Sequence, residues 1–182
     1  MKVSKEQVAD NRQRILDAAA KLFRERGFEG VTVAQIMAAA GLTHGAFYGH
    51  FGSKEDLIAQ SFGHVLFPEA GAPGDGSSIA EFAGAYLSAA HRDRPGNGCL
   101  FSTLGTEVAR TTGVARHTMT QAMERRIETF SETAPGTTPE ERRRAAIAGW
   151  AAMVGAMVLA RIADDPALSD EIMRQTKTAL GG

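Results

Sequence analysis

At five candidate helix starts a Ser or Thr stands three residues ahead of a Glu, Gln or Asp: Ser4–Gln7, Thr32–Gln35, Ser53–Asp56, Ser78–Glu81 and Thr138–Glu141. The first side chain of such a pair can accept the backbone N–H of the second, which satisfies a donor that a helix start leaves open. Thr138-Pro139-Glu140-Glu141 adds Pro and acids to the first turn, and Asp165-Pro166 repeats the device. Gly27 and Gly41 supply C-terminal stops. Apolar residues follow these starts at helical spacing, as in Ile15, Ala19, Leu22, Phe23 and again in Leu57, Ile58, Phe62, Val65, Leu66. Val31-Thr32-Val33 is the nearest approach to a β-branched alternation. The punctuation predicts an all-α fold of about nine helices: 4–26, 32–40, 43–49, 53–66, 78–93, 100–110, 114–132, 138–164 and 165–180.

The Gly/Pro-rich run Pro68–Gly76 is the natural boundary. It divides the chain into a unit at 1–52, a connector helix at 53–67 and a second unit at 77–182. One cysteine excludes an intrachain disulfide and a four-Cys zinc module, and suits a reducing cytoplasm. The opening MKVSKEQVADNRQR has no apolar core of a signal peptide. Ala145–Ala160 is too short and too rich in Ala and Gly for a bilayer, so it reads as a buried helix and no membrane partner is expected. His44, His50, His64, His91 and His117 form no pair at i, i+3 or i+4, so neither metal nor cofactor is expected. A net charge of −1 argues against a polybasic nucleic-acid binder.

Residues 32–51 qualify that last inference. Two short helices flank Gly41-Leu42-Thr43, the length of turn that sets a helix-turn-helix. Ile36, Ala40, Leu42, Phe47 and Phe51 face inward by spacing. Thr43, His44, Gly45, Ala46, Tyr48 and His50 are left outside, and no acid lies between Val33 and Lys54. An acid-free polar face suits entry into a DNA major groove, where carboxylates would repel phosphates. Thr32 and Thr43 open helices whose N–H groups can take phosphate oxygens. Gly45 permits close approach, Ala46 offers a methyl to thymine, and His44 can donate to a base edge. Tyr48, His50 and Lys54 can reach the flanking backbone, with Lys2, Lys5, Arg12 and Arg14 tracking it from the N-terminal arm.

From about Arg12 to Leu57 the chain resembles the DNA-binding domain of the TetR family of bacterial transcriptional regulators. The matching frame is Ile15, Ala19, Leu22-Phe23, Gly27-Phe28, Thr32, Ile36, Ala40-Gly41, Thr43, Gly45, Phe47-Tyr48, His50-Phe51 and Lys54-Glu55. Met37 stands where the family usually has Ala, which implies a slightly wider helix packing. Gly49 stands where a larger side chain is common, which weakens the recognition helix by up to about 1 kcal/mol. The resemblance implies three N-terminal helices for duplex DNA, a fourth as connector, and a helical C-terminal domain for ligand and dimer contacts. The implied function is a homodimeric repressor on a palindromic operator, released by a small ligand.

The C-terminal half carries no motif for a particular substrate. Ala148, Ala152, Met153, Ala156, Met157 and Ala160, with Leu168 and Ile172, make a small-residue ridge that the resemblance assigns to the dimer interface. Phe82, Tyr86, Phe101, Met119, Met123, Phe130 and Trp150 can line a pocket for an apolar or aromatic ligand. Cys99 opens a helix, where N–H groups and the dipole favour a thiolate; Gly98-Cys99-Leu100 followed by Glu107 resembles a C-terminal-domain pattern of some family members, a few of which use such a Cys to sense oxidants or electrophiles. An alternative reading is therefore a helical ligand-binding or thiol-reactive protein. A more remote one is an enzyme pairing Cys99 with His91 or His117, although no catalytic motif surrounds them, and no catalytic residue is assigned.

Charge is spread evenly. Residues 1–60 hold eight Lys/Arg and seven Asp/Glu, and residues 61–182 hold twelve and fourteen. A nucleic-acid role therefore rests on the acid-free face and not on bulk charge.

Overall fold

The computed structural model describes residues 4–67, 78–111 and 113–181 of the 182-residue chain. The expected boundary Pro68–Gly76 and Lys2 lie outside the described residues. Among the described residues every regular element is helical: α1 Lys5–Arg26, α2 Val33–Ala39, a 3-10 helix His44–Gly49, α3 Lys54–Leu66, α4 Ile79–Tyr86, α5 Ala89–Asp93, a 3-10 turn Pro95–Asn97, α6 Leu100–Ala109, α7 Val114–Thr133, α8 Pro139–Ile162 and α9 Pro166–Ala179.

The starts follow the caps. Thr32, Ser78 and Thr138 each make the reciprocal pair with Gln35, Glu81 and Glu141. Ser4 and Ser53 make only the forward bond, because Gln7 turns to Asn11 and Asp56 instead accepts Gly52 N–H. Gly27 (φ 73°) and Gly41 (φ 70°) close α1 and α2 in the left-handed region. Two expectations change. The single helix expected over 78–93 is two, since Leu87 leaves helical geometry (ψ 67°) and Ser88 caps α5 anew. The third helix is 3-10 throughout, a tighter coil with poorer bonds.

Two cores organise the chain. The first joins Ile15, Ala19 and Phe23 of α1 to Ile36 and Met37 of α2, Phe47, Phe51, and Leu57 and Phe62 of α3. Leu100, Leu104 and Val108 of α6 and Met119 of α7 complete it. The second joins α4, α7, α8 and α9 around Phe130, Trp150, Met153, Met157 and Met173, and half-buried Phe101 touches both. By length and composition α8, at 24 residues, is long and apolar enough to cross a membrane, longer than the uncharged stretch alone suggested. Met153 and Met157 of α8 are nonetheless fully buried within the chain's own second core.

The turn between α1 and α2 is fixed from two sides. Phe28 N–H donates to the Glu107 carboxylate of α6 (2.7 Å), and Phe28 C=O accepts from Lys54 Nζ of α3 (2.6 Å). The Phe28 ring meets Phe23 edge-on and lies against Phe62. A Cβ on Gly27 would stand 2.7 Å from Glu107 Oε1, so the bare glycine admits the carboxylate.

A half-buried polar hub holds α5 and α6 to α8. Arg161 donates to the carbonyls of His91, Arg92 and Ser102, two of them C-terminal carbonyls that short α5 cannot satisfy itself. Burial pulls the Arg161 guanidinium below its ordinary value. His91 donates from Nδ1 to Tyr86 C=O (2.7 Å) and accepts Cys99 N–H at Nε2 (2.9 Å), which requires the neutral ring. Burial lowers the His91 pKa; Tyr86 C=O pulls it the other way, and Arg161 reinforces the lowering.

These ties set two measurable outcomes. Glu107→Ala should lose about 1–3 kcal/mol in urea unfolding, with Glu107→Gln losing less because its amide oxygen still accepts. A loss equal in both variants would show that the bond contributes nothing specific. For His91, the unfolded chain binds the proton first as pH falls, so the stability contribution is complete above about pH 6.5 and drains below it. Wild type should therefore lose more stability between pH 7.5 and 5.5 than His91→Gln; identical pH profiles would contradict the neutral assignment.

Candidate nucleic-acid interface

The helix-turn-helix is built from the inside out. Ile36, Met37, Ala40, Phe47 and Phe51 are buried, and Leu42 in the turn is half-buried. Phe47 and Phe51 stack (ring centroids 5.8 Å) and tie the 3-10 helix to the first core. Met37 is fully buried, so the larger side chain is absorbed by that core. Gly49 is exposed, and a Cβ there would meet no atom within 4 Å, so its backbone freedom and not space distinguishes it.

What remains outward is Thr43, His44, Gly45, Tyr48 and Gly49, all exposed, with Ala46 and His50 half-buried. Tyr48 is 70% exposed, its ring meeting His44 edge-on at 6.3 Å and Phe47 at 5.2 Å. Those contacts orient the phenol without covering it. Thr43 makes no capping bond, so its hydroxyl is not committed to the helix start. Thr32 is exposed, but its hydroxyl is engaged in the capping box with Gln35. Its contribution to an anion site is therefore confined to the open N–H groups of the first turn of α2.

Two basic residues have other duties than sequence reasoning gave them. Arg12 does not track a backbone from the arm: it donates to His50 C=O (3.0 Å), bonds Gln60 of α3, and lies 4.6 Å above the Phe51 ring. It locks α1, the end of the 3-10 helix and α3 together. The signal was present in the sequence, since Arg12 stands three and four residues before buried Ile15 and Leu16 and so shares their face. Lys54, named for a phosphate, spends one donor on Phe28 C=O and is half-buried. The Arg14 guanidinium lies over Gly41, 2.6 Å from where a Cβ would stand.

The ridge read as a dimer interface is divided by the fold. Met153, Ala156, Met157 and Ala160 are buried in the chain's own second core, so that part of the stripe packs within the single chain. Ala148 and Ala152 are exposed, Ile172 half-buried and Leu168 48% exposed. The exposed face of α8 is instead Ile147 (44%), Ala148, Ala151, Ala152, Leu159 (55%) and Ile162 (72%).

Of the residues read as a ligand pocket, five assemble. Phe82 packs on Tyr86, Phe130 and Trp150, and Trp150 also meets Tyr86 and Phe101, with centroids 5.2–6.1 Å apart. Met119 does not join them, because its end of α7 belongs to the first core, and Met123 is 38% exposed. Cys99 is half-buried at the cap of α6. His91 cannot act as its base through a free ring nitrogen, since both nitrogens are committed to backbone groups. His117 is exposed on α7. Among the described residues no group of three or more His, Cys, Asp or Glu is placed to hold a metal. A separate groove of about 440 Å³ runs between α3 and the start of α7, floored by Phe28, Ile58 and Ala115.

The profile described as bacterial regulatory proteins, tetR family, matches residues 15–60. The chain is 39% identical over 69 residues to the HTH-type transcriptional repressor BepR of Brucella suis, covering 38% of this chain and 33% of that protein. It is 40% identical over 57 residues to the HTH-type transcriptional regulator AcrR of Shigella flexneri, covering 31% of this chain and 26% of that protein. The match thus spans a third or less of these relatives' own length. A crystal structure of a TetR transcriptional regulator from Chloroflexus aurantiacus superposes with a TM-score of 0.74 at 26% identity, over 96% of this chain and 94% of that one. Residues 15–60 thus match the tetR family of bacterial regulatory proteins in sequence, and the chain as a whole shares the fold of a solved TetR regulator.

Proposed function

We propose that the chain is a sequence-specific DNA-binding repressor of the cytoplasm, acting as a homodimer on a palindromic operator and released by a small apolar or aromatic ligand. The observation that carries this reading is the exposed, acid-free surface of Thr43–His50, held rigid from behind by Phe47, Phe51 and Arg12. A phenol 70% exposed beside an exposed imidazole is a poor core and a good groove reader. The matched relatives named as transcriptional repressor and regulator support the same reading.

The apolar strip Ile147, Leu159 and Ile162, with Leu168 of α9, is where a second copy would bury its counterpart. Two heads then enter successive major grooves about 34–36 Å apart. With so few basic residues per head, tight binding would need both on one site.

Release would run through α6. Phe101 of α6 lies in the aromatic cluster, while Glu107 of the same helix holds the α1–α2 turn. Six residues of helix separate them, about 9 Å. A ligand at the cluster that favours one position of α6 would bias the spacing of the heads, and only to the extent of its unequal affinity for the two. Cys99, at the start of α6, would place a thiol-borne signal on the same helix.

Tyr48→Ala should lower affinity for genomic duplexes enriched by the protein at least about tenfold, read by fluorescence anisotropy, with thermal stability unchanged. Unchanged affinity would remove Tyr48 from the interface. Leu159→Glu with Ile162→Glu should yield a folded monomer in sedimentation and abolish tight operator binding. Retention of a dimer in that variant would place the interface elsewhere.

A further inference from the structure

Among the described residues two buried side-chain polar atoms have no hydrogen-bond partner: Tyr86 Oη and Arg126 Nη1. Both border one aromatic cluster. The Arg126 guanidinium of α7 lies 4.8 Å over the Phe82 ring and 5.6 Å from the Phe130 ring. The Tyr86 ring stacks on Phe82 as well, with centroids 5.6 Å apart, and its hydroxyl lies near Cys99 and Ser102. Burial pushes the Tyr86 hydroxyl pKa up, so it stays a neutral donor.

A guanidinium with a buried, unanswered N–H is costly unless an acceptor comes to it, and a carboxylate oxygen is the acceptor that fits best. The ring faces beneath it contribute a cation–π contact, which orients the guanidinium while leaving its in-plane N–H groups for another partner. Phe82 and Phe101 are half-buried, so the cluster is not sealed from solvent at those rings. An aromatic floor, a cation lying on it and a second unpaired hydroxyl at the same cluster are complementary to one chemistry. We propose that this cluster binds a carboxylate-bearing ligand with an aromatic or apolar body, the carboxylate accepting from Arg126 Nη1 and the body resting on Phe82, Phe130 and Trp150. The Tyr86 hydroxyl remains for a further ligand oxygen. This deepens the ligand-released repressor reading and rests on it for its biological role, though the binding itself does not depend on DNA.

Trp150 is the sole tryptophan of the chain and sits in the cluster, so its fluorescence reports occupancy. The probes are 4-phenylbutyrate, 3-phenylpropionate and octanoate, each beside its primary amide, titrated against the full-length protein by calorimetry and Trp150 emission. At least one acid should bind with a change in Trp150 emission and at least tenfold more tightly than its own amide. Arg126→Gln should erase that preference while leaving amide affinity in place, and Arg126→Lys should restore part of it. Circular dichroism of each variant guards against misfolding, and equal amide affinity guards against a collapsed site. Equal binding of acid and amide in wild type, a preference that survives Arg126→Gln, or no acid bound at 5 mM would each overturn the proposal. Operator release is measured separately. Acid binding without release would sink the induction reading and leave this site standing, whereas release by acid and amide alike would do the reverse.

Discussion

Phe28 is gripped at both of its backbone polar groups, the N–H by Glu107 and the C=O by Lys54, while its ring fills the space between Phe23 and Phe62. Three helices distant in sequence, α1, α3 and α6, thereby converge on one residue of the turn that leads into α2. Both bonds involve a charged partner, which makes them stronger than neutral ones and more costly to leave broken. The orientation of the helix-turn-helix relative to the rest of the chain depends on this clamp. The left-handed Gly27 is its precondition, since any side chain there would be strained and would stand against the carboxylate.

On the proposed reading, the same economy accounts for a chain of net charge −1 presenting a surface for a polyanion. Three of its basic residues near the head are used inward. Arg12 fastens α1 to the end of the 3-10 helix, Lys54 holds Phe28, and Arg24 donates to Gly96 C=O across the interface with the second half. The outward face is therefore defined by the absence of acids and by shape, with Tyr48 and His44 as its polar tips. Phosphate contacts from backbone N–H groups and hydroxyls would fix register more than they add bulk attraction.

Much of the architecture was legible because it is local. Caps at Ser4, Thr32, Ser53, Ser78, Thr138 and Asp165, and the stops at Gly27 and Gly41, each act within four residues, and the helices start and end where they stand. The break at Leu87–Ser88 was hidden because Ser88 is followed by only five helical residues, too few to show a periodic stripe. The 3-10 coil of His44–Gly49 was hidden because short helices of either kind share the same apolar spacing over two turns. Duties set by distant contacts were not readable. Met153, Ala156, Met157 and Ala160 look like a ridge in sequence, but only the position of α7 and α9 decides which side of α8 is interior. Met119 and Phe130 lie on one helix yet serve different cores, since α7 is long enough to run alongside both. Arg126 gave no signal at all, because an arginine among polar neighbours reads as a solvated face until the aromatic rings beneath it are known.

On the proposed reading the head is a reader of paired sites, with Tyr48 and His44 entering the groove and the clamp on Phe28 setting its pose. The most direct measurement is footprinting of the full-length protein on genomic fragments it selects from its own organism's DNA. The expected result is protection of two inverted half-sites with centres about one helical turn, 10–10.5 bp, apart or a multiple of it, lost together in Tyr48→Ala. Fragments recovered without a shared inverted sequence, or a footprint unaltered by Tyr48→Ala, would contradict it.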